Sequence, residues 1–494
     1  MGSISILLRG LWGNFWNPVS LVLLQPAFIM NLNSSIQTPE LAAAMEALDG
    51  SQAGPSSATE TTLANDPASR RNIGDSGVFV PIEPQTLTES GLTESDVEAL
   101  ILKFLNAYGN QQGRAIAKHV KLPFGIVQSI LNNLKNQMFV TYKSLAAAND
   151  YVYELTEPGL QRARHLCEIC SYCGAAPVGF DNYVESVAAQ SLRKHRLNPK
   201  EVYNAFDDLL LPKEMLAQVG QAVNSGRCMF LYGESGNGKT SIATRCIDAY
   251  DSGIWIPRTL TVGGEIIRLF DPSIHEPLPT KQGDSLLKKS VVDERWVRIK
   301  RPKVIVGGEL NFAQLELSQN RITGVLEAPI HMKSNNGCLV IDDFGRQRLT
   351  ITELLNRWII PLENGTDYVR LPNGRKIESP FDQMLVFSTN LEPESLGEEA
   401  FFRRIPYKIE LLSPDDVQFA KLFAIEAERA GFQQTPESAE YLIQTLRESG
   451  RSLKYCYVSD ILEQCAEFCE FHSQDRTLSR AMLDLALHNY FAGI

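Results

Sequence analysis

The residues with the clearest chemistry stand at Gly233-Glu234-Ser235-Gly236-Asn237-Gly238-Lys239-Thr240-Ser241, a complete G-x-x-x-x-G-K-[ST] run behind the apolar stretch Cys228 to Tyr232. Such a loop needs a strand to deliver it and glycines to permit the positive-φ turns that aim successive N–H groups at phosphate oxygens. It also needs a helix opening at its end, which Thr240 to Tyr250 supplies. The backbone amides of 233–241 are then expected to cradle phosphates. Lys239 would pair with the β- and γ-phosphates, and the Thr240 hydroxyl would ligate Mg²⁺.

About a hundred residues later, Cys338-Leu339-Val340-Ile341 runs into Asp342-Asp343-Phe344. An apolar run ending in acid reads as a buried parallel strand whose carboxyl end reaches the nucleotide. Asp342 would hold Mg²⁺ through water, and Asp343 would orient the attacking water. A third strand, Met384 to Thr389, ends at Asn390, and the segment Glu399 to Ile409 carries Arg403-Arg404 ahead of another apolar stretch.

In this order the parts resemble the AAA+ ATPases, over about residues 200 to 490. The resemblance implies an α/β fold: a P-loop parallel sheet flanked by helices (the AAA+ core), with a β-hairpin insertion and a C-terminal helical lid. It implies ATP and Mg²⁺ as ligands and Asn390 as a residue that positions the lytic water. It also implies that Arg404, with Arg403 alongside, reaches into a neighbouring subunit's ATP, so that a homo-oligomer such as a hexameric ring completes the site. The window from Glu327 through Asn335-Asn336-Gly337 to the Asn364-Gly365 bend looks like the MoxR and enhancer-binding-activator branch. The run as a whole resembles a poorly characterised bacterial group of predicted, chaperone-like ATPases. Two departures stand out: Asp342-Asp343 replaces the usual Asp-Glu, and Val458-Ser459-Asp460 offers no lid arginine, leaving Arg451 or Lys454 as substitutes.

The elements that must position these residues divide the chain. Residues 1–91 read as a disordered leader, because the stretch from Asn31 is rich in Ser, Thr, Ala, Gly and Pro without apolar periodicity. The apolar stretch Pro18 to Ile29 is too short to span a bilayer. A secretory signal there lacks a small-x-small cleavage site, and translation from Met30 is an equal alternative. Residues 92–175 show three helical patterns and two strand-like pieces, which suggest a winged-helix-like domain. The ATPase core is expected over 200–411, with an insertion at about 254–310, and the lid over 412–494. Within the insertion, Ile254 to Thr261 and Glu265 to Phe270 alternate around Gly263-Gly264, a hairpin signal.

The formal net charge is −11, which argues against bulk capture of nucleic acid. Between Leu87 and Leu166 eight Lys and Arg oppose seven Asp and Glu, a weak footprint for phosphate contacts, so protein docking is favoured over DNA there. Gln128, Asn132 and Asn133 are the polar candidates for base contact. The run Lys288, Lys289, Arg295, Arg298, Lys300, Arg301, Lys303 either grips a substrate strand or blunts an edge strand against aggregation, the second being favoured. The nine cysteines are mostly scattered, as in a reducing compartment. Cys167, Cys170 and Cys173 beside His165 have ligand-like spacing, but no second pair follows, so packing is the expected role.

The leading expectation is therefore a cytoplasmic AAA+ ATPase, without a membrane span, that remodels an unidentified protein client. A DNA-binding regulator using ATP as an assembly switch and a low-turnover scaffold are the alternatives.

Overall fold

The computed structural model describes residues 78–279, 292–396, 399–433 and 436–491, all within a unit spanning Asp66–Ile494. The stretches 1–77 and 280–291, including Met30, the apolar run Pro18 to Ile29, Lys288 and Lys289, lie outside the described residues. Residues 78–91, expected to extend the leader, are instead packed. Phe79 is buried on Trp296 with ring centroids 5.6 Å apart, and Pro81 O accepts from Asp293 N. Composition alone misreads this segment because its few apolar side chains are spent on distant partners.

Helix α1 (Glu94–Tyr108) starts where the Thr93 hydroxyl accepts from Asp96 N and the Asp96 carboxylate accepts from Thr93 N. Strand β1 (Gln111–Gln112), α2 (Gly113–Val120) and α3 (Phe124–Asn136) follow. Then β2 (Val140–Ala146) and β3 (Asp150–Leu155) form an antiparallel pair that β1 extends to three strands. Val97, Ile101, Val127 and Leu131, spaced at helical intervals, close one apolar core between these elements. Helix α4 (Glu157–Ile169), capped by Thr156, ends at the cysteine run. The stretch 176–199, to which sequence reading assigned no element, holds β4 (Val178–Gly179) and α5 (Phe180–Ala189).

Next come α6 (Pro199–Ala205), α7 (Lys213–Ser225), β5 (Met229–Tyr232) and α8 (Lys239–Arg245). The insertion contributes β6 (Ile254–Pro257), β7 (Thr259–Val262), β8 (Glu265–Arg268) and β9 (Trp296–Ile299). The expected hairpin forms around Gly263-Gly264, but only from β7 and β8; β6 separates from it and pairs antiparallel with β9. Arg258 is the break, since its carbonyl accepts from both Leu269 N and Phe270 N while its own N–H donates to Arg295 O.

The remaining elements are β10 (Lys303–Val306), β11 (Ser318–Gln319), β12 (Leu326–Glu327), α9 (Ile330–Lys333), β13 (Cys338–Ile341), α10 (Ile351–Asn364), β14 (Thr366–Arg370), β15 (Lys376–Pro380), β16 (Met384–Thr389), α11 (Glu399–Phe402) and β17 (Tyr407–Glu410). Four helices close the chain: α12 (Asp416–Arg429), α13 (Pro436–Glu448), α14 (Tyr455–His472) and α15 (Arg480–Tyr490). The cap of α12 is Asp415 with Gln418: the Asp415 carboxylate accepts from Gln418 N, and Gln418 Oε1 accepts from Asp415 N.

The central sheet runs β10-β13-β16-β5-β17, every neighbouring pair parallel. Alternate residues go to opposite faces. Met229, Leu231, Val340 and Val386 pack with Val219 and Ile242 on one side. Phe230, Leu339, Ile341 and Phe387 pack with Leu354, Trp358 and Phe401 on the other. Each such fully buried apolar side chain contributes about 1.5–3 kcal/mol, so the all-apolar strands are pinned between helices and their polar ends are forced to one edge. A second five-stranded sheet, β11-β12-β8-β7-β4, combines the hairpin β7–β8 with β4 from ahead of the phosphate loop and with β11 and β12 from beyond β10 of the central sheet. Among the described residues no helix is long and apolar enough to cross a membrane.

Candidate functional site

The carboxyl ends of β5, β13 and β16 open onto a cavity of about 600 Å³, closed on its far side by α12 and α14 of the lid. Residues 235–241, Asp342, Asp343 and Asn390 all line it. The loop between β5 and α8 is shaped by close approach. Gly233 adopts φ +131°, and a Cβ there would lie 2.4 Å from Leu411 O; Gly236 adopts φ +88°, and a Cβ there would lie 2.6 Å from Cys456 Sγ.

Lys239, buried at the start of α8, donates through Nζ to Gly233 O and Glu234 O, both at 2.8 Å. Burial pulls its pKa below the usual lysine value, and the carboxylates of Asp342 and Asp343 oppose that pull. The Thr240 hydroxyl donates to Asp342 Oδ2 at 2.8 Å, so two residues 102 positions apart meet at one point. Asp343 is exposed at the cavity and holds φ +48°, in the left-handed region. Ser388, also on the cavity wall, keeps its buried Oγ without a hydrogen-bond partner among the described residues.

Arg403 and Arg404 do not line this cavity. Arg404 Nη2 donates to Glu363 Oε1 at 2.5 Å, whereas Arg403 is exposed, with no side-chain partner among the described residues. Of Arg451 and Lys454, Lys454 stands at the loop: its Nζ lies 3.6 Å from Glu234 Oε2, and Ser452 Oγ donates to the same oxygen at 3.0 Å. Cys456 N, in the first turn of α14, donates to Gly236 O at 3.1 Å. Arg451 faces elsewhere, stacked over Phe491 at 4.0 Å.

Two lining residues outside the loop, Arg245 and Asp208, carried no motif signal. Arg245 and Asp208 form a two-pronged pair at the cavity wall, where the Arg245 hydrogen bonds hold the Asp208 carboxyl below its ordinary range. Asn237, buried in the loop, donates through Nδ2 to Leu411 O and Ser413 Oγ at 3.2 Å, tying the loop to the segment that joins sheet and lid. Arg245 and Asp208 join the site only through the fold, whereas Asn237 already belonged to the loop motif.

Other sequence candidates are not assembled. Among the described residues no group of three or more His, Cys, Asp or Glu is placed to hold a metal. His165 lies beside Glu168, and Cys173 Sγ lies 3.9 Å from His119 Nε2. Asn133 donates to Glu94, and Lys135 sits 4.0 Å over the Tyr142 ring, so part of the polar face of α3 is occupied within the chain. In the basic run, Arg295 is buried against Asp293 at 2.8 Å, Lys300 pairs with Glu276 at 2.6 Å and Lys303 pairs with Asp248 at 2.5 Å.

Residues 415–489, the four lid helices, match a family profile described as a domain of unknown function (DUF8689). None of the curated proteins matches the chain. Among solved structures, the Holliday junction branch migration motor RuvB of Thermotoga maritima is 13% identical over 60% of this chain and 72% of its own, with a TM-score of 0.33. NtrX from Brucella abortus, in complex with ATP, is 12% identical over 66% of this chain and 61% of its own, with a TM-score of 0.35. Likeness at this level carries neither family membership nor activity to this chain.

Proposed function

We propose that this chain is an AAA+ ATPase that hydrolyses ATP at subunit interfaces and couples the resulting motion of core against lid to remodelling of a protein partner. One observation carries the reading: the Thr240 hydroxyl and the Asp342 carboxylate, 2.8 Å apart, lie at the end of a glycine-rich loop on a cavity that Asp343 and Asn390 also line. Lys239 fits an anionic ligand, because a buried ammonium bonded only to carbonyl oxygens gains a charged partner when phosphate enters. Thr240 and Asp342 would hold Mg²⁺, which supplies charge neutralisation at the β- and γ-phosphate oxygens.

Around that site this chain's own groups divide the work. Amides of 235–241 and Lys239 bind phosphate, Asp343 accepts the proton of the attacking water, and Asn390 orients that water. Lys454 approaches from the lid. Arg403 and Arg404 act on a neighbour's nucleotide, which makes a homo-oligomer, a hexameric ring among its forms, part of the catalytic unit. The need for ATP argues for a cytoplasmic setting. The insertion ahead of the acidic strand and the β14–β15 hairpin before Asn390 support the MoxR and enhancer-binding-activator branch. The winged-helix-like module at 92–175 is read as a protein-docking unit, since Asn133 and Lys135 are engaged within it.

The test compares ATP turnover of wild type, Lys239→Ala and Asp343→Asn. Wild type is expected to turn over, Lys239→Ala to lose binding and turnover together, and Asp343→Asn to bind without turning over. A wild type no faster than Lys239→Ala ends the motor reading and leaves a scaffold. Affinity capture with Asp343→Asn then seeks the client.

A further inference from the structure

We infer that Gln347 is a positioning residue for Asp343, an inference that rests on the hydrolytic reading above. Asp343 sits in the left-handed region at φ +48°, which non-glycine residues adopt at a cost that is smallest for Asp and Asn. The chain therefore turns sharply just past β13, where Asp342 meets Thr240 while Asp343 lines the cavity. Something must hold that turn against relaxation.

A single side-chain amide does so on one flank. Gln347 Nε2 donates to Asp342 O at 2.9 Å and to Asp343 O at 3.1 Å, and its Oε1 accepts from Gly345 N at 2.8 Å. Both carbonyls of the acidic pair and the amide two residues on are thus gathered by one group. The other flank is tied to the strand that leads to Asn390: Phe344 N donates to Ser388 O, and Thr389 Oγ1 donates to Phe344 O, each at 2.7 Å. Asp343 is in this way set at a fixed place relative to Asn390, with Gln347 closing the exposed side. No other side chain of residue 347 reproduces this pattern unless it offers both a donor and an acceptor at that reach. The left-handed turn also accounts for aspartate rather than glutamate at 343, since the shorter acid is the one that tolerates it.

The experiment measures kcat and KM for ATP, melting temperature and amide hydrogen exchange in wild type, Gln347→Ala and Gln347→Glu. Gln347→Ala is expected to lower kcat by about 10- to 100-fold, the scale of a misplaced reacting group, with KM and melting temperature unchanged. Gln347→Glu keeps the acceptor for Gly345 and loses both donors, so its kcat should fall as far. In both variants the amides of 343–346 should exchange faster. Wild-type kcat in Gln347→Ala, or KM and melting temperature that move together with kcat, would overturn the inference alone. A wild type no faster than Lys239→Ala would overturn the hydrolytic reading and the catalytic role with it. Exchange, read without turnover, then still decides whether Gln347 braces the turn, and unchanged protection overturns that too.

Discussion

Among the described residues the chain builds two five-stranded sheets, and they dispose of their polar residues in opposite ways. The parallel sheet keeps its inner strands β5 and β13 apolar and presents polar groups past the carboxyl ends, where Thr240, Asp342, Asp343 and Asn390 line a cavity. Around the mixed sheet, charged groups are buried and paired within the protein. Arg295 joins Asp293 and also donates to Ser90 O and Pro177 O. His331 Nε2 lies 3.0 Å from Asp367 Oδ2, and Arg357 grips the same carboxylate. A buried charge whose bonds are all made within the protein specifies geometry, whereas one facing a cavity retains capacity for a ligand.

That contrast can be broken by experiment. The largest effect is expected at the arginines beyond the cavity. Arg403→Ala should cost turnover on the order of 10³-fold, the scale of an arginine supplied in trans, and more than Arg404→Ala, because Arg404 is held by Glu363. Mixing Arg403→Ala with Asp343→Asn subunits should restore part of the activity. No restoration at any ratio would mean that the arginine acts within its own subunit.

Next in size, Arg295→Ala leaves Asp293 buried without its partner and should destabilise the protein by about 3–5 kcal/mol in denaturant unfolding, while the folded fraction turns over normally. A loss below 1 kcal/mol, in the range of an exposed pair, would remove the distinction drawn between the sheets. Smaller again, Lys454→Ala should raise the Kd for ATP by about tenfold, as for one charged hydrogen bond, with Arg451→Ala leaving Kd unchanged. Equal shifts in titration calorimetry would sink the assignment of Lys454.

The smallest effect concerns acid. Burial pushes the Asp271 carboxyl up, but hydrogen bonds from Lys333 and Ser273 outweigh it and hold the group at about 2. A depressed carboxylate stabilises the fold above its unfolded value of about 3.9. That contribution is lost as pH falls through the folded value. Melting temperature followed from pH 5 to 2 should therefore decline less steeply in Asp271→Asn than in wild type, and parallel curves would refute the linkage.

How much of this was legible beforehand depends on the reach of the contacts. The loop 233–241, the acidic strand and Asn390 were readable because each is a local pattern: an apolar run that needs a sheet, then polar residues that its end must present. The insertion was read only in part. The β7–β8 hairpin announces itself through Gly263-Gly264, but the pairing of β6 with β9 joins residues 39 to 45 positions apart and leaves no local trace. Phe79 and the neighbouring residues were lost to composition for the same reason. The cysteine run, with ligand-like spacing but packing as its expected role, meets a partner its spacing does not announce: Cys173 Sγ lies 3.9 Å from His119 Nε2, 54 positions away.

From residue order alone came the glycine-rich loop behind a strand, the expectation that Thr240 and Asp342 serve one site, and a helical C-terminal region, since backbone geometry and strand periodicity act over a few residues. Folding in three dimensions decided which lid cation reaches Glu234, which of two arginines stays unengaged, and that Gln347 closes the turn at Asp343. Those choices depend on distances between side chains carried by separate elements, and such distances exist only once the sheet and its helices have packed.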